Sequence, residues 1–221
     1  MFSYDKISQF QTDSSYFCIT CQTNYETGYE NLIKLVSIAN KEGFYYKPRI
    51  DHELLENYHE GLVCLSACLA GKVQHELLNG NYEGAKEEAI FLKGLFGEDF
   101  YLEMQDQHLE EEIPVNKGLK QLSKELGIKL VATNDVHYIN REDAKAHDVL
   151  LCIGTKSNLS DPDRMRFPND EFYLKSEEEM RRLFPDVPEA IDNTQEIVDK
   201  CSFEFHYGDY HIPKFKSFRN K

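Results

Sequence analysis

The sequence predicts an α/β fold with largely parallel strands. Three observations carry that expectation. Four short apolar stretches, YFCITC (16–21), GLVCLSA (61–67), FYLEMQ (100–105) and KLVATN (129–134), have the length and composition of strands. Long segments with apolar residues at helical spacing separate them. Capping residues and glycines punctuate most of the boundaries between the two kinds of segment. Strand and helix in repeated alternation mean crossover connections and therefore parallel pairing.

In chain order, the first dozen residues are polar and patternless and are expected to fray, and YFCITC follows as the first strand. GYENLIKLVSIANKEGF places Leu32, Leu35, Val36 and Ala39 on one helical face and stops at Gly43. Asp51 is positioned to cap a short helix, HELLENYHEG, which Gly61 closes. After the GLVCLSA strand, helices are expected over Lys72–Leu78 and, past an NGN turn, Tyr82–Phe96. FYLEMQ alternates, so Tyr101 and Glu103 share a face. Pro114 opens a helix that runs to Leu126 and ends at Gly127. KLVATN comes next, then a helix started by Asn140–Asp143 with Ala144, His147, Val149 or Leu150, and Leu151 on its buried side. SDPDRMRFPNDEFYLKS is a turn-rich connection, and Ser176 with Glu179 makes a capping box for MRRLF. A helix over about 188–200 and a last strand, SFEFHYG, complete the pattern.

The 221 residues suffice for one large domain or two small ones, with a substantial core. No apolar run approaches the roughly 20 residues of a membrane span, and the N-terminus has no basic and then apolar signal, so a cytoplasmic protein is expected. The formal charge of −14 argues against a self-sufficient nucleic-acid clamp, because phosphate contacts require Lys and Arg. Six cysteines, at 18, 21, 64, 68, 152 and 201, read as free thiols in a reducing compartment. A four-thiolate zinc site from Cys18, Cys21, Cys64 and Cys68 is disfavoured, since both pairs lie in apolar strand-like stretches.

The end of KLVATN leads into Asp135–Val136–His137. In extended backbone, residues two apart point to the same side, so this carboxylate and imidazole would project together from a strand's C-terminal mouth. That is half of a site for zinc or manganese, which needs three or four ligands. The competing reading is a turn in which Asn134 and Asp135 bond nearby backbone and His137 packs on Tyr138. Glu103 ends FYLEMQ and Cys68 closes GLVCLSAC, both at strand ends; a solvated edge carboxylate and a buried small thiol are their plain alternatives. His147 reads as a half-buried structural histidine, and His108 with Asp106 and Glu110–Glu112 as a solvated acidic loop.

The segments GLVCLSACLAGKV, LFGEDFYLEMQ, LVATNDVHYINREDAKAHDVLLCI, LSDPDRMRFPNDEFYLKSEEEM, FPDVPEAIDNTQEIVDKC and YHIPKF occur in this order. Together they resemble the polymerase-and-histidinol-phosphatase (PHP) domain of bacterial DNA polymerase III alpha subunits, over about residues 27–215. The resemblance implies a distorted (β/α)7 barrel, here partial and lacking its first strands. It implies a poorly matched segment with one strand at 1–26, the PHP domain at 27–213, and a tail at 214–221 leading toward a polymerase core. It also implies a divalent metal, zinc or manganese, at the strand mouth. Asp135 and His137 fall on the family's Asp–x–His motif, Cys68 on its SxCLxG motif, and Glu103 on its YLEMQ motif.

The chain departs from the family pattern in having no HxH motif, with Cys18 nearest to a ligand-histidine position and Gln107 where a histidine often stands. An incomplete metal site and a truncated or split replicase piece are therefore expected, with no catalytic residue assigned. The resemblance implies a contribution to DNA replication within a DNA-directed DNA polymerase. Its partners would be other replicase subunits or a complementary polymerase fragment, with DNA met only through the complete polymerase and no membrane. A free-standing metal-dependent phosphoesterase with 3′–5′ exonuclease character and a non-catalytic docking module are the alternatives.

Overall fold

The structure, a computed structural model, describes residues 7–11, 16–21 and 25–201 together with Gly208 and Ile212, with side chains from Thr27 onward. The expected SFEFHYG strand and the 214–221 tail lie outside these residues, as do the side chains of Cys18 and Cys21. Five strands form one sheet in sequential order: β1 (Ile7–Gln11), β2 (Tyr16–Cys21), β3 (Leu62–Leu65), β4 (Phe100–Met104) and β5 (Lys129–Ala132). β3, β4 and β5 are parallel, whereas β1 pairs antiparallel with β2 and β2 antiparallel with β3.

This corrects two expectations. The sheet is mixed, because β1 and β2 meet through a short connection that only antiparallel strands can use. The polar first dozen residues also contain a strand, in which Ile7 and Phe10 supply the β-forming residues of ISQFQ. The described strands make an open sheet of the α/β class.

Eight helices are described: α1 (Tyr25–Lys41), α2 (His52–Asn57), α3 (Lys72–Leu78), α4 (Tyr82–Phe96), α5 (Glu112–Leu126), α6 (Ala144–Thr155), α7 (Glu177–Leu183) and α8 (Glu189–Lys200). Their ends follow local chemistry. Asp51 accepts the Leu54 N–H at 2.8 Å ahead of α2. Asn81 accepts the Gly84 N–H at 3.1 Å at the start of α4. Gly127, at φ 62°, ends α5 in the left-handed conformation. Ser176 and Glu179 close a reciprocal capping box on α7.

Alternation along the parallel strands divides the core. Leu62, Cys64, Phe100, Leu102, Met104, Leu130 and Ala132 face a large layer that includes Leu35, Leu55, Leu77, Leu92, Leu119 and Leu122 from the helices. Val63, Leu65, Tyr101 and Val131 face the other way and pack with Ile197 of α8. α8 lies against β5, and Asn193 donates to the Leu130 carbonyl at 2.7 Å. Gly28 of α1 and Gly61 before β3 meet backbone to backbone: a Cβ at Gly28 would stand 2.1 Å from the Gly61 oxygen. Only glycine permits that approach.

α6 differs from its expected orientation. Leu151 is half-buried and Cys152 buried, but Val149, Leu150 and Ile153 are exposed. The helix touches the connection that follows it, through His147 on Phe167 and Asp148 paired with Arg164, while its exposed apolar residues have no facing element among the described residues.

Candidate functional site

Because β3, β4 and β5 run in the same direction, their C-terminal ends share one rim, the usual place for function in α/β folds. The strands deliver Ser66, Ala67 and Cys68 from β3, Gln105 and Gln107 from β4, and Thr133, Asn134 and Asp135 from β5. The sheet pattern runs slightly past the strands: the Ser66 N–H donates to the Tyr101 oxygen at 3.1 Å, and the Thr133 N–H to the Met104 oxygen at 3.0 Å.

Glu103 is buried at the centre of this rim. Its carboxylate accepts the Ala67 N–H at 3.0 Å, the Thr133 hydroxyl at 2.5 Å and the Gln105 amide at 3.4 Å. Burial raises its pKa and the charge of Asp135 adds to the rise, while the bonds from Thr133, Ala67 and Gln105 oppose it. Gln74, on the buried face of α3, reaches the same strand ends: its Nε2 lies 2.6 Å from Ser66 Oγ, 2.8 Å from the Ala67 oxygen and 3.0 Å from the Glu103 oxygen. Ser66 Oγ in turn accepts the Glu103 N–H at 2.8 Å. The result is a hydrogen-bonded lock across β3, β4 and β5.

Asp135 and His137 do come together. Nε2 of His137 stands 3.1 Å from Oδ1 of Asp135, although the chain has left the strand by then. The connection after α6 sets this geometry. The His137 and Tyr138 N–H groups both donate to the Phe172 oxygen, at 2.8 and 3.3 Å, and the Leu174 N–H donates to the Tyr138 oxygen at 3.0 Å. Phe167 lies 4.6 Å from the His137 ring and stacks on His147 at 4.9 Å, with Phe172 stacked behind it. Burial, and then the neighbouring His137, lower the pKa of half-buried His147. The pair is therefore seated against an aromatic cluster, on the imidazole side.

Cys68 lines a narrow cleft, with room for about one water, together with Glu103, Gln74, Gln105, Glu112 and Asn116. Burial pushes its thiol pKa up, and the charges of Glu103 and Asp135 push further in the same direction. Both effects disfavour the thiolate form, against the lowering effect of backbone hydrogen bonding. Cys64 faces the helical layer, fully buried, as a small apolar residue. No group of three or more His, Cys, Asp and Glu with metal-holding geometry occurs among the described residues. The residues present do not fit a closed metal centre: Asp135 and His137 are bonded to each other, and the Glu103 carboxylate is occupied by N–H and O–H donors.

Several rim residues carry no sequence motif. Gln74 is marked only by being polar at a position three residues from Leu77 on an otherwise apolar face. Gln107 is buried; with its amide turned to suit its neighbours, the oxygen accepts the Asp135 N–H at 3.3 Å and the nitrogen donates to Glu112. Glu112 corrects the reading of a solvated loop, since it is buried and accepts the N–H groups of Gln107 at 2.7 Å and Leu109 at 3.0 Å. His108 does stay exposed, 3.0 Å from Asp106. No helix among the described residues is long and apolar enough to cross a membrane.

Comparison with known proteins adds the lineage. The family described as PHP domain matches residues 6–107. The chain is 48% identical over 205 residues to a protein named DNA polymerase III subunit alpha from Borreliella burgdorferi, covering 90% of this chain and 18% of that protein. It is 51% identical over 188 residues to the subunit of the same name from Treponema pallidum, covering 85% and 16%. With the Thermus aquaticus subunit the identity is 43% over 209 residues, covering 92% and 17%. The chain spans less than a fifth of the length of these curated relatives. Family match, relatives and the order of motifs agree: residues 6–107 match the PHP domain, and most of the chain is similar to one part of DNA polymerase III alpha subunits.

Proposed function

We propose that this chain supplies the PHP part of a DNA polymerase III alpha subunit and serves DNA replication through that larger enzyme. Identity of 48–51% extending over 85–90% of the chain is the observation that carries the reading. In this reading the described sheet is one side of a (β/α)7 barrel, the PHP domain extends over 27–213, and the 214–221 tail leads toward the polymerase core. Its partners are other replicase subunits or a complementary polymerase fragment, and it meets no membrane.

A chimera tests this. The matching region of the Borreliella burgdorferi subunit is replaced by this chain and primer extension is measured. Extension near that of the parent subunit is expected. A chimera that folds and assembles but does not extend primers overturns the reading.

Asp135 and His137, joined by Cys68 and Glu103, are the residues this reading assigns to a metal-facing rim for zinc or manganese. Their proximity at the strand ends favours the assignment, and their mutual hydrogen bonding favours an incomplete site with no hydrolytic step of its own. Metal analysis of the purified chain is expected to give substoichiometric zinc or manganese. Stoichiometric metal that disappears in Asp135→Ala and His137→Ala restores the phosphoesterase alternative instead.

A further inference from the structure

The loop between α1 and α2 exposes three consecutive aromatic side chains, Phe44, Tyr45 and Tyr46, at 59, 63 and 82%. Isolated exposed apolar residues are ordinary, but a contiguous aromatic surface calls for an explanation. The loop is ordered by its own backbone. The Arg49 N–H donates to the Gly43 oxygen at 3.2 Å, and the Tyr45 N–H to the Lys47 oxygen at 3.1 Å. A Cβ on Gly43 would lie 2.1 Å from the Arg49 oxygen, so the base of the loop is closed tightly. At its tip Tyr46 has φ 60°, a conformation that a bulky residue rarely adopts. The chain thus holds the most exposed aromatic side chain among the described residues in a strained backbone, with no burial to compensate. Such outliers point to function.

Charge narrows the ligand. KEGFYYKPR (41–49) carries three basic side chains, Lys41, Lys47 and Arg49, and one acidic one, Glu42, in a chain of net −14. The Arg49 guanidinium lies 5.1 Å from the Tyr45 ring centroid, and the Tyr45 and Tyr46 rings meet edge to face at 4.7 Å. Exposed aromatic rings in a locally basic segment match the chemistry of unpaired nucleobases on a phosphate backbone. We infer that this loop is a binding platform for single-stranded DNA: Tyr46 and Phe44 stack on exposed bases while Lys41 and Lys47 meet the flanking phosphates. A duplex offers no free base faces and fits less well. The inference goes beyond the function proposed above, because it gives this chain a DNA contact of its own.

Fluorescence anisotropy of labelled oligothymidine, titrated with the full chain at low salt, reads the platform. Saturable binding that weakens with added salt is expected, with weaker binding to a duplex of the same length. Tyr46→Gly is the decisive variant. Glycine accepts φ 60°, so the variant should melt at or above the temperature of the parent chain, yet bind about tenfold more weakly through the lost stack. Lys47→Glu should weaken binding in step with a shallower salt dependence. The inference is overturned by absence of oligothymidine binding, or by binding that Tyr46→Gly leaves intact. It is equally overturned if the aromatic variants instead abolish binding to a proline-rich peptide or to phosphatidylserine–phosphatidylcholine vesicles while the oligonucleotide is ignored.

Discussion

Replacing Glu103 by alanine and by glutamine separates two roles that the same carboxylate could serve. The alanine variant leaves the Ala67 N–H, buried and now 3.0 Å from nothing, without an acceptor, and removes the partner of the Thr133 hydroxyl. An orphaned buried donor costs about 1–3 kcal/mol. The Thr133 hydroxyl is half-buried and can turn, and losing a desolvated carboxylate returns part of the cost, so the net destabilisation is about 2 kcal/mol. For a domain of this size that lowers the melting temperature by about 4–8 °C. Glutamine keeps the shape: its carbonyl can accept from Ala67 while its amide donates to Thr133 Oγ1. It should melt within about 2 °C of the parent at pH 7.

The pH dependence carries a sign. Burial raises the folded-state pKa of Glu103 above its ordinary value. In the window between the two values the folded chain holds a proton that the unfolded chain has released, so this group's contribution to stability falls as pH rises through the window. Glu103→Gln lacks the step, and its stability relative to the parent should improve as pH rises from the ordinary carboxylate value past the raised one. Thermal melts monitored by circular dichroism across this range measure it. A glutamine variant as damaged as the alanine one, with parent stability raised by added zinc or manganese, would refute the hydrogen-bond account and make the negative charge itself the requirement.

Other predictions are simpler. Gly28→Ala forces a methyl against the Gly61 carbonyl and should lower the melting temperature by several degrees or prevent soluble expression, since the atoms it meets are backbone and cannot swing aside. Ser176→Ala removes the hydroxyl of the α7 capping box and should cost about 1 kcal/mol in chemical denaturation. The bond from Lys129 lowers the Glu196 pKa from 4.5 to about 2, against the effect of partial burial. That contribution is whole above pH 4.5 and fades as pH falls toward 2, so Lys129→Met should move acid unfolding, followed by circular dichroism, to higher pH.

What the sequence conveyed about this molecule was mostly local. Asp51, Ser176 with Glu179, and Gly127 act on backbone within a few residues, and each ends or begins a helix where its chemistry says it should. The meeting of Asp135 and His137 was readable for the same reason, since side chains two residues apart are neighbours wherever the backbone is not helical. Pairing across the sheet was not. Whether YFCITC joins its neighbour parallel or antiparallel depends on the path of the connecting chain, and its composition is silent on that. Glu112 looked solvated because its partners, the N–H groups of Gln107 and Leu109, are backbone and invisible to residue type. The stripe on α6 was real, but a stripe says only that a face is apolar, not that something in the same polypeptide covers it.

The contact between Asn193 and the Leu130 carbonyl has a topological consequence. Leu130 directs its backbone away from β4, and its outward acceptor is already claimed by a side chain from α8. A sixth strand arriving beside β5, whether from a growing barrel or from a neighbouring molecule in a concentrated solution, would find that seat taken. Any strand added beside β5, and so any closure of the sheet into a ring, must first release the Asn193 side chain from this carbonyl.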